Sequence, residues 1–176
     1  LYIVNEMYGG DVGMQVIDLS PLPEGSPIQL ETYGYIAQSH NLWIDSSGFA
    51  FIEHMTPDNI HITNLSDPSS PTYEGTFGIQ GQYCHDIYTQ NNIAYVSEGY
   101  GNQFGIYNIS DFEDIELLAT IPCQGYAHNA WLNEQETHLI TTEETQNKTV
   151  KIWDISDFDN INLAGEYLGE NGLAHN

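Results

Sequence analysis

The stretch HDIYTQNNIAYVSEG, residues 85–99, carries the pattern on which the fold depends. A histidine opens a run rich in β-branched and aromatic residues, a Gln-Asn-Asn turn follows, and a second such run ends at a glutamate. The same arrangement recurs in HNLWIDSSGFAFIEH at 40–54 and in HNAWLNEQETHLITTEE at 128–144, and His175 opens a further copy. The histidines are 45, 43 and 47 residues apart, so the chain is a repeat protein.

A second set of similar segments completes each unit: MQVIDLS at 14–20, IHITNLSDPSSP at 60–71, FGIYNISDFED at 104–114 and VKIWDISDFDN at 150–160. Short runs of Val, Ile, Tyr, Phe and Thr between turn residues favour strands, four to a unit. Four strands in about 40–45 residues are typical of a β-propeller blade. We therefore predict an all-β fold, a β-propeller of four-stranded antiparallel blades, with about four units present as part of a larger ring. A β-sandwich is the alternative, but it does not explain the fixed period.

The chain divides at its histidines into repeat units of one propeller segment, residues 1–176. The predicted units are 1–39, 40–84, 85–127 and 128–174, with 175–176 opening the next. The chain begins inside a strand-like run without a methionine, so we expect it to be a segment of a longer protein. Its expected partners are then the rest of its own propeller or neighbouring subunits, which would cover the faces of the outermost units.

Charge is the most unusual property of the composition. The 176 residues include 25 Asp and Glu against two basic residues, Lys148 and Lys151, for a formal net charge of −23. Nucleic acid is excluded as a partner because its binding depends on Lys and Arg that neutralise phosphates. No apolar run is long enough to predict a membrane-spanning segment. The acidity leads us to expect an extracellular or cell-surface location, with protein or glycan ligands there.

Two segments resemble a known family of repeat proteins. GIYNISDFEDIELLATI at 105–121 resembles the LVIVD-type repeat. YIVNEMYGGDVGMQVIDLS at 2–20, together with the repeated His-Asn and His-Asp starts, resembles the choice-of-anchor B family of secreted bacterial and archaeal propeller-like proteins. The resemblance implies a surface-associated propeller and no particular reaction.

Two columns of polar residues recur with the repeat and form the candidate site. They are the histidines His40, His85, His128 and His175, and the glutamates Glu53, Glu98 and Glu143, which follow their histidines by 13, 13 and 15 residues. The first two strands of a blade are antiparallel neighbours, so the start of one and the end of the other lie at one edge. We therefore expect both columns to converge at one mouth of the central channel.

The residues around these columns extend the candidate site. Glu6 falls at the matching place in the first unit, and Asn41, Asp86, Asn129 and Asn176 directly follow the histidines. Imidazole with carboxylate suits Zn, Cu, Mn or Fe, whereas carboxylates and amides alone suit Ca, so a divalent metal is the expected cofactor. The alternative is structural. Each histidine would hold its own blade together by satisfying buried backbone groups, and each glutamate would be a solvated edge residue.

Other chemically notable side chains have plainer expected roles. Cys84 could be a metal ligand, a disulfide partner of Cys123 or a buried thiol. The aromatic residues Trp43, Tyr88 and Trp131 occupy one position of the first strand, where packing between blades is expected. The histidines outside the column, expected on the surface or on strand faces, are His54, His61 and His138.

These observations lead to one main functional hypothesis and two alternatives. The main hypothesis is a secreted or cell-surface propeller that acts as a non-catalytic binding, adhesion or structural module. The first alternative is a metal-dependent oxidoreductase or hydrolase that uses the histidine and glutamate cluster at the propeller centre. The second is a structural subunit of an extracellular assembly or filament.

Overall fold

The all-β prediction is confirmed. The computed structural model describes residues 1–6, 13–53, 60–79, 82–169 and 172–175, and within these ranges fifteen strands form four antiparallel sheets. The strands are β1 (Tyr2–Ile3), β2 (Met14–Asp18), β3 (Ile28–Tyr33), β4 (Leu42–Ile44), β5 (Phe49–Glu53), β6 (Ile60–Asn64), β7 (Thr72–Phe77), β8 (Asp86–Gln90), β9 (Ile93–Ser97), β10 (Gln103–Asn108), β11 (Glu116–Pro122), β12 (Ala127–Leu132), β13 (His138–Glu143), β14 (Val150–Asp154) and β15 (Asn162–Tyr167). One 3-10 turn, Phe158–Asn160, precedes the last strand.

The sheets have the topology of propeller blades. Strands β4–β7, β8–β11 and β12–β15 each form a four-stranded sheet in which sequence neighbours pair, and β1–β3 form a sheet of three. The first strands of the four-stranded sheets meet at their inner edges, where β8 contacts both β4 and β12. A repeated histidine marks the start of the inner strand in each four-stranded blade. His40 and His85 precede β4 and β8 by two residues and one residue, and His128 is the second residue of β12.

A β-bulge recurs at one place in every sheet, where the last two strands pair. It falls between Val16 and Ile17, Ile62 and Thr63, Ile106 and Tyr107, and Ile152 and Trp153. A bulge increases the local twist of a sheet. Because it recurs in each blade, it also provides a structural reference point from which equivalent residues can be counted.

The hydrophobic core is divided among the junctions between successive sheets. Phe51 and Ile62 of one blade pack with Ile87 and Val96 of the next. A second cluster joins the β8–β11 and β12–β15 sheets, and a third joins the first sheet to the β4–β7 sheet. The β4–β7 and β8–β11 sheets bury apolar side chains on both faces, and the first and last sheets bury them at one junction each, so the hydrophobic effect holds the blades against one another.

No helix among the described residues is long and apolar enough to cross a membrane.

Candidate functional site at the channel mouth

The four repeated histidines lie against one another at the inner edge of the blades, a place that we call the channel mouth. Ring centroids are 4.7 Å apart for His40 and His85, and 4.1 Å apart both for His85 and His128 and for His128 and His175. His40, His85 and His128 meet because they lie at or just before the start of inner strands, and the inner strands of successive blades are neighbours. His175, which follows β15, packs against His128. The structure therefore brings together the whole histidine column predicted from the repeat.

His128 is the most buried member of this histidine stack. It lies in β12 at a register shift between Ala127 and Asn129, and such irregularities redirect a side chain. Burial, followed by the neighbouring histidines, lowers the pKa of His128 to about 4, and burial also lowers the pKa of His85. His85 Nδ1 lies 2.9 Å from the carbonyl oxygen of His128, a contact that links two blades. Burial therefore favours the neutral form of both imidazoles, the form that can bind a metal ion.

Two exposed carboxylates face opposite ends of the histidine stack. Glu6 Oε1 lies 2.5 Å from His40 Nδ1. Glu144 lies between two imidazoles, with Oε2 3.6 Å from His128 Nε2 and Oε1 3.7 Å from His175 Nε2. The mouth thus combines imidazole and carboxylate, as the sequence predicts, although Glu144 was not among the predicted residues.

Asp86 and two asparagines form a layer deeper in the channel. Asn41 Nδ2 donates to Asp86 Oδ1 at 2.9 Å, and Asn129 Nδ2 donates to the other carboxylate oxygen. Burial raises the pKa of Asp86 to about 6, although both asparagines oppose the shift. Asp86 therefore joins three inner strands by hydrogen bonds.

Two of the predicted glutamates lie inside the blades rather than at the mouth. Glu98 accepts hydrogen bonds from Gln103 Nε2 and the Tyr107 hydroxyl. Burial raises the pKa of Glu98, and its two donors oppose this shift. Neither carboxylate oxygen of this residue lines the mouth, and its contacts tie β9 to β10 within one blade.

Glu143 ties a blade to the loop that precedes it. Glu143 Oε2 accepts from the backbone amides of Gln124 at 3.0 Å and Gly125 at 2.6 Å, and Oε1 pairs with Lys151 Nζ. A Cβ at Gly125 would lie 3.0 Å from Glu143 Oε2, so glycine permits this close approach. Glu143 is therefore positioned as a structural residue.

Glu53 is fully buried in a different environment. Neither of its carboxylate oxygens makes a hydrogen bond of regular geometry with the described residues. Burial, followed by the charge of Asp86, raises the pKa of Glu53 well above its ordinary value. Burial therefore favours the neutral form of this carboxyl group, in contrast to the paired carboxylate of Glu143.

The three glutamates diverge because the first hairpin of each blade has a different length. The residues that pair opposite the recurrent bulge are Tyr2, Phe51, Tyr95 and Ile140. Glu53 follows its reference residue by two positions, whereas Glu98 and Glu143 follow theirs by three. Glu6 and Glu144 both follow theirs by four. Since side chains alternate between the faces of a strand, equal spacing from the histidine does not imply an equal direction. Glu6 and Glu144, which reach the mouth, therefore share a register that is visible when residues are counted from the bulge but not when they are counted from the histidine.

Two adjoining cavities give access to the site. A cavity of about 280 Å³ is lined by the four histidines, the Asn41, Asp86 and Asn129 layer, and Glu144. A wider one of about 520 Å³ lies over it and is lined in part by Tyr83, Tyr100 and Tyr126. Tyr126 lies with its ring centroid 5.3 Å from that of His85 and 4.8 Å from that of Tyr100. Sequence reasoning missed these tyrosines because they lie in loops outside the repeated columns.

The other residues considered from the sequence lie elsewhere. Cys84 and Cys123 are free thiols, and burial raises the pKa of both, that of Cys123 to about 11. Trp43, Tyr88 and Trp131 contact one another across the inner strands, with ring centroids 4.2–5.4 Å apart. His61 packs against Tyr33 and Tyr73, and His138 lies beside Thr137. His54 and Asn176 lie outside the described residues.

Comparison with known proteins identifies the fold. No protein-family model matches the sequence, and no curated protein is significantly similar to it. The structure is similar to the periplasmic gluconolactonase of Pseudomonas aeruginosa, with a TM-score of 0.73 and 10% identity over 94% of this chain and 53% of that one. It is also similar to a Bacteroides fragilis protein whose proposed activity is that of a 6-phosphogluconolactonase, with a TM-score of 0.70 and 12% identity over 89% of this chain and 51% of that one. A functionally unknown protein from Desulfotomaculum acetoxidans has a TM-score of 0.72 and 14% identity over 99% of this chain and 56% of that one.

These similarities correct the family predicted from the sequence. The identification as a choice-of-anchor B protein with LVIVD repeats is wrong, since no family model matches and the solved structures that share the fold include lactonase-type propellers. Short strand motifs suggested that family. Such motifs occur in any blade that has a Val/Ile-rich strand followed by an Asp or Asn turn. The chain spans about half the length of the similar structures.

Proposed function

We propose that this chain is part of a β-propeller hydrolase that opens the ring of an uncharged sugar lactone at the channel mouth. The observation that carries the proposal is the pair formed by His40 Nδ1 and Glu6 Oε1, 2.5 Å apart, on the rim of the mouth cavity. Lactonases among the proteins of the same fold support the reaction class. A purely adhesive or structural role leaves this arrangement unexplained.

The Glu6–His40 pair has the geometry of a general base with an orienting carboxylate. With its proton on Nδ1, His40 donates to Glu6, and Nε2 is then the proton acceptor. Nε2 makes no hydrogen bond with the described residues, and the side chain is 39% exposed, so water can reach it. An imidazole can both accept and donate a proton, which suits transfer in both directions.

The reaction requires one water and returns every proton. His40 Nε2 takes a proton from the water as its oxygen bonds to the lactone carbonyl carbon, which forms a tetrahedral intermediate. The bond between that carbon and the ring oxygen then breaks. The same imidazole gives its proton to the departing ring oxygen, which becomes a hydroxyl group, and the product is a hydroxy acid.

The wider cavity suits a sugar ring. Its volume of about 520 Å³ falls within the range of about 300–1,000 Å³ that small-molecule sites occupy. Tyr83, Tyr100 and Tyr126 offer aromatic faces for the apolar side of a sugar and hydroxyl groups for its polar rim. Asn41 and Asn129 supply amide groups deeper in the channel.

The charge of the site favours a neutral substrate over a phosphorylated one. The two basic side chains are engaged elsewhere, since Lys148 Nζ donates to Gln124 Oε1 at 3.0 Å and Lys151 pairs with buried Glu143. Binding a phosphate group ordinarily requires such cations. Glu6 and Glu144 at the mouth would repel a phosphate, and they would also speed release of the acidic product.

The test is lactone hydrolysis by the purified chain, with glucono-δ-lactone and its 6-phosphate as alternative substrates. We expect turnover of the uncharged lactone above the uncatalysed rate, and a kcat lowered about 100-fold or more in His40→Gln. Glu6→Gln should show a smaller loss in kcat with KM unchanged. His138→Asn, away from the mouth, is the matched control. Wild-type rates in both His40→Gln and Glu6→Gln would refute the proposal. A preference for the phosphorylated substrate would refute the argument from charge.

A location outside the cytoplasm remains a prediction from the acidic composition. Cell fractionation with an antibody against the chain tests it, and recovery in the cytoplasmic fraction alone would contradict it.

A further inference from the structure

A three-residue cluster lies at the other end of the histidine stack from the Glu6–His40 pair. His128 comes from the inner strand β12, Glu144 directly follows β13 of the same blade, and His175 lies after β15. One ligand atom from each of the three lies within 4.8 Å of the others. The three side chains therefore converge on one point although they come from separate parts of the chain.

The separations match those around a bound ion. Ligand atoms about 2.0–2.2 Å from a tetrahedral metal ion lie about 3.3–3.6 Å from one another. His128 Nε2 is 3.6 Å from Glu144 Oε2, and His175 Nε2 is 3.7 Å from Glu144 Oε1. Small side-chain rotations would bring all three ligand atoms onto one ion. Neither contact is short enough to be a hydrogen bond, so the carboxylate is not committed to either imidazole.

The chemistry of the donors selects the class of ion. Two imidazoles and one carboxylate suit zinc and related first-row transition metals, whereas calcium and magnesium prefer oxygen ligands throughout. Three protein ligands also leave a coordination position open toward the cavity, which is the arrangement of catalytic rather than structural zinc sites. The 5% exposure of the His128 side chain holds one ligand rigidly, and the 40% and 54% exposures of Glu144 and His175 allow an ion to enter.

We propose that His128, His175 and Glu144 bind one divalent transition-metal ion, with Zn²⁺ as the best match. An ion held there would lie in the same cavity as His40. Its catalytic role, polarising the lactone carbonyl while the Glu6–His40 pair activates water, rests on the proposed function. The occupancy of the site does not, and it can be measured without a lactone.

The experiment is calorimetric titration of the chelator-treated chain with Zn²⁺ alone. Glu144→Gln and His175→Gln are the test variants because both side chains are exposed and should leave the fold intact, which their unfolding midpoints verify. The matched controls are His138→Asn, a histidine outside the cluster, and Glu136→Gln, an exposed acid on a loop. We expect one tight ion per chain in the wild type and both controls, and affinity weakened about 100-fold or more in each test variant.

Two results would overturn the proposal. One is the absence of stoichiometric Zn²⁺ binding by the folded wild-type chain. The other is equal binding by the wild type and both test variants, which would assign the ion to the acidic surface at large. Failure of the proposed function is recognised separately, because a chain without lactonase activity can still show the expected pattern of Zn²⁺ affinities.

Discussion

Glu143 and Glu144 are neighbours in the chain but belong to different regions of the molecule. Glu143 lies in the blade interior with its side chain 1% exposed, where it accepts from two loop amides and pairs with Lys151. Glu144 lies at the channel mouth with its side chain 40% exposed, facing His128 and His175. Successive side chains at the end of β13 point in opposite directions, so one residue of difference separates a structural role from a chemical one.

The comparison extends to the other glutamates. Glu6 shares the register of Glu144 and reaches the mouth, whereas Glu98 shares that of Glu143 and stays within its blade. Substitutions in the interior should therefore change stability, and those at the mouth should change chemistry. The following predictions test that division.

The largest stability effect is expected for Glu143→Ala. It removes the acceptor of the Gln124 and Gly125 amides and leaves Lys151, 19% exposed, without its partner. Breaking a buried ion pair from one side costs about 3–5 kcal/mol. Urea unfolding should show that loss for Glu143→Ala and a change within about 0.5 kcal/mol for Glu144→Ala, as for other exposed positions. Equal effects for the two neighbours would remove the distinction between interior and mouth.

A smaller loss is expected for Glu98→Ala, which deprives the Tyr107 hydroxyl and Gln103 of their shared acceptor. A buried donor left unpaired costs about 1–3 kcal/mol. A double-mutant cycle with Tyr107→Phe isolates the contact, since the combined loss should be less than the sum of the two single losses. Strict additivity would show that the Glu98–Tyr107 contact contributes nothing to stability.

Glu53→Gln is expected to stabilise the protein at neutral pH, which is opposite in sign to the other interior changes. Burial raises the pKa of Glu53, so the folded state binds its proton more tightly than the unfolded state. Stability from this group is fully present below the unfolded pKa of about 4.5 and is lost, by about 1.4 kcal/mol per pH unit, as pH rises toward the folded pKa. Glutamine never ionises, so the variant should avoid this loss.

The measurement for Glu53→Gln is the free energy of unfolding as a function of pH. The gap between the variant and the wild type should widen from about pH 4 to pH 7. A gap independent of pH, or a variant less stable at pH 7 than the wild type, would show that the carboxylate has a partner that stabilises its charge.

Much of the fold could be predicted from the repeat. Alternating runs such as DIYTQ and IAYVS form β8 and β9, and the Gln-Asn-Asn turn between them is a tight hairpin in which Asn91 and Asn92 adopt positive φ values of 51° and 63°. Such local signals are strong because strand propensity and turn chemistry agree. The family assignment was wrong because these local motifs specify a propeller blade and do not distinguish one propeller family from another.

The candidate site was only partly predictable. His40, His85 and His128 converge because they lie at or just before the start of inner strands, and the inner strands of successive blades are neighbours. The glutamates lie at the far end of the hairpin that each histidine opens. One added residue in the turn of that hairpin moves a side chain to the opposite face of the strand, so the direction of a glutamate cannot be read from its distance to the histidine. Counting four residues along the sequence from the reference positions gives Met55 and Gly99 in the second and third units, so the sequence has no glutamate column there.

Local strand and turn preferences, repeated along the chain, are enough to specify the all-β class, the blade period and the histidine column. Which carboxylates accompany the histidines depends instead on tertiary contacts. That choice depends on hairpin length, on the register shift at His128 and on the packing of successive blades. These features act between residues that are distant in sequence. For that reason no sequence motif predicts that Glu6 contacts His40 or that Glu144 faces His175.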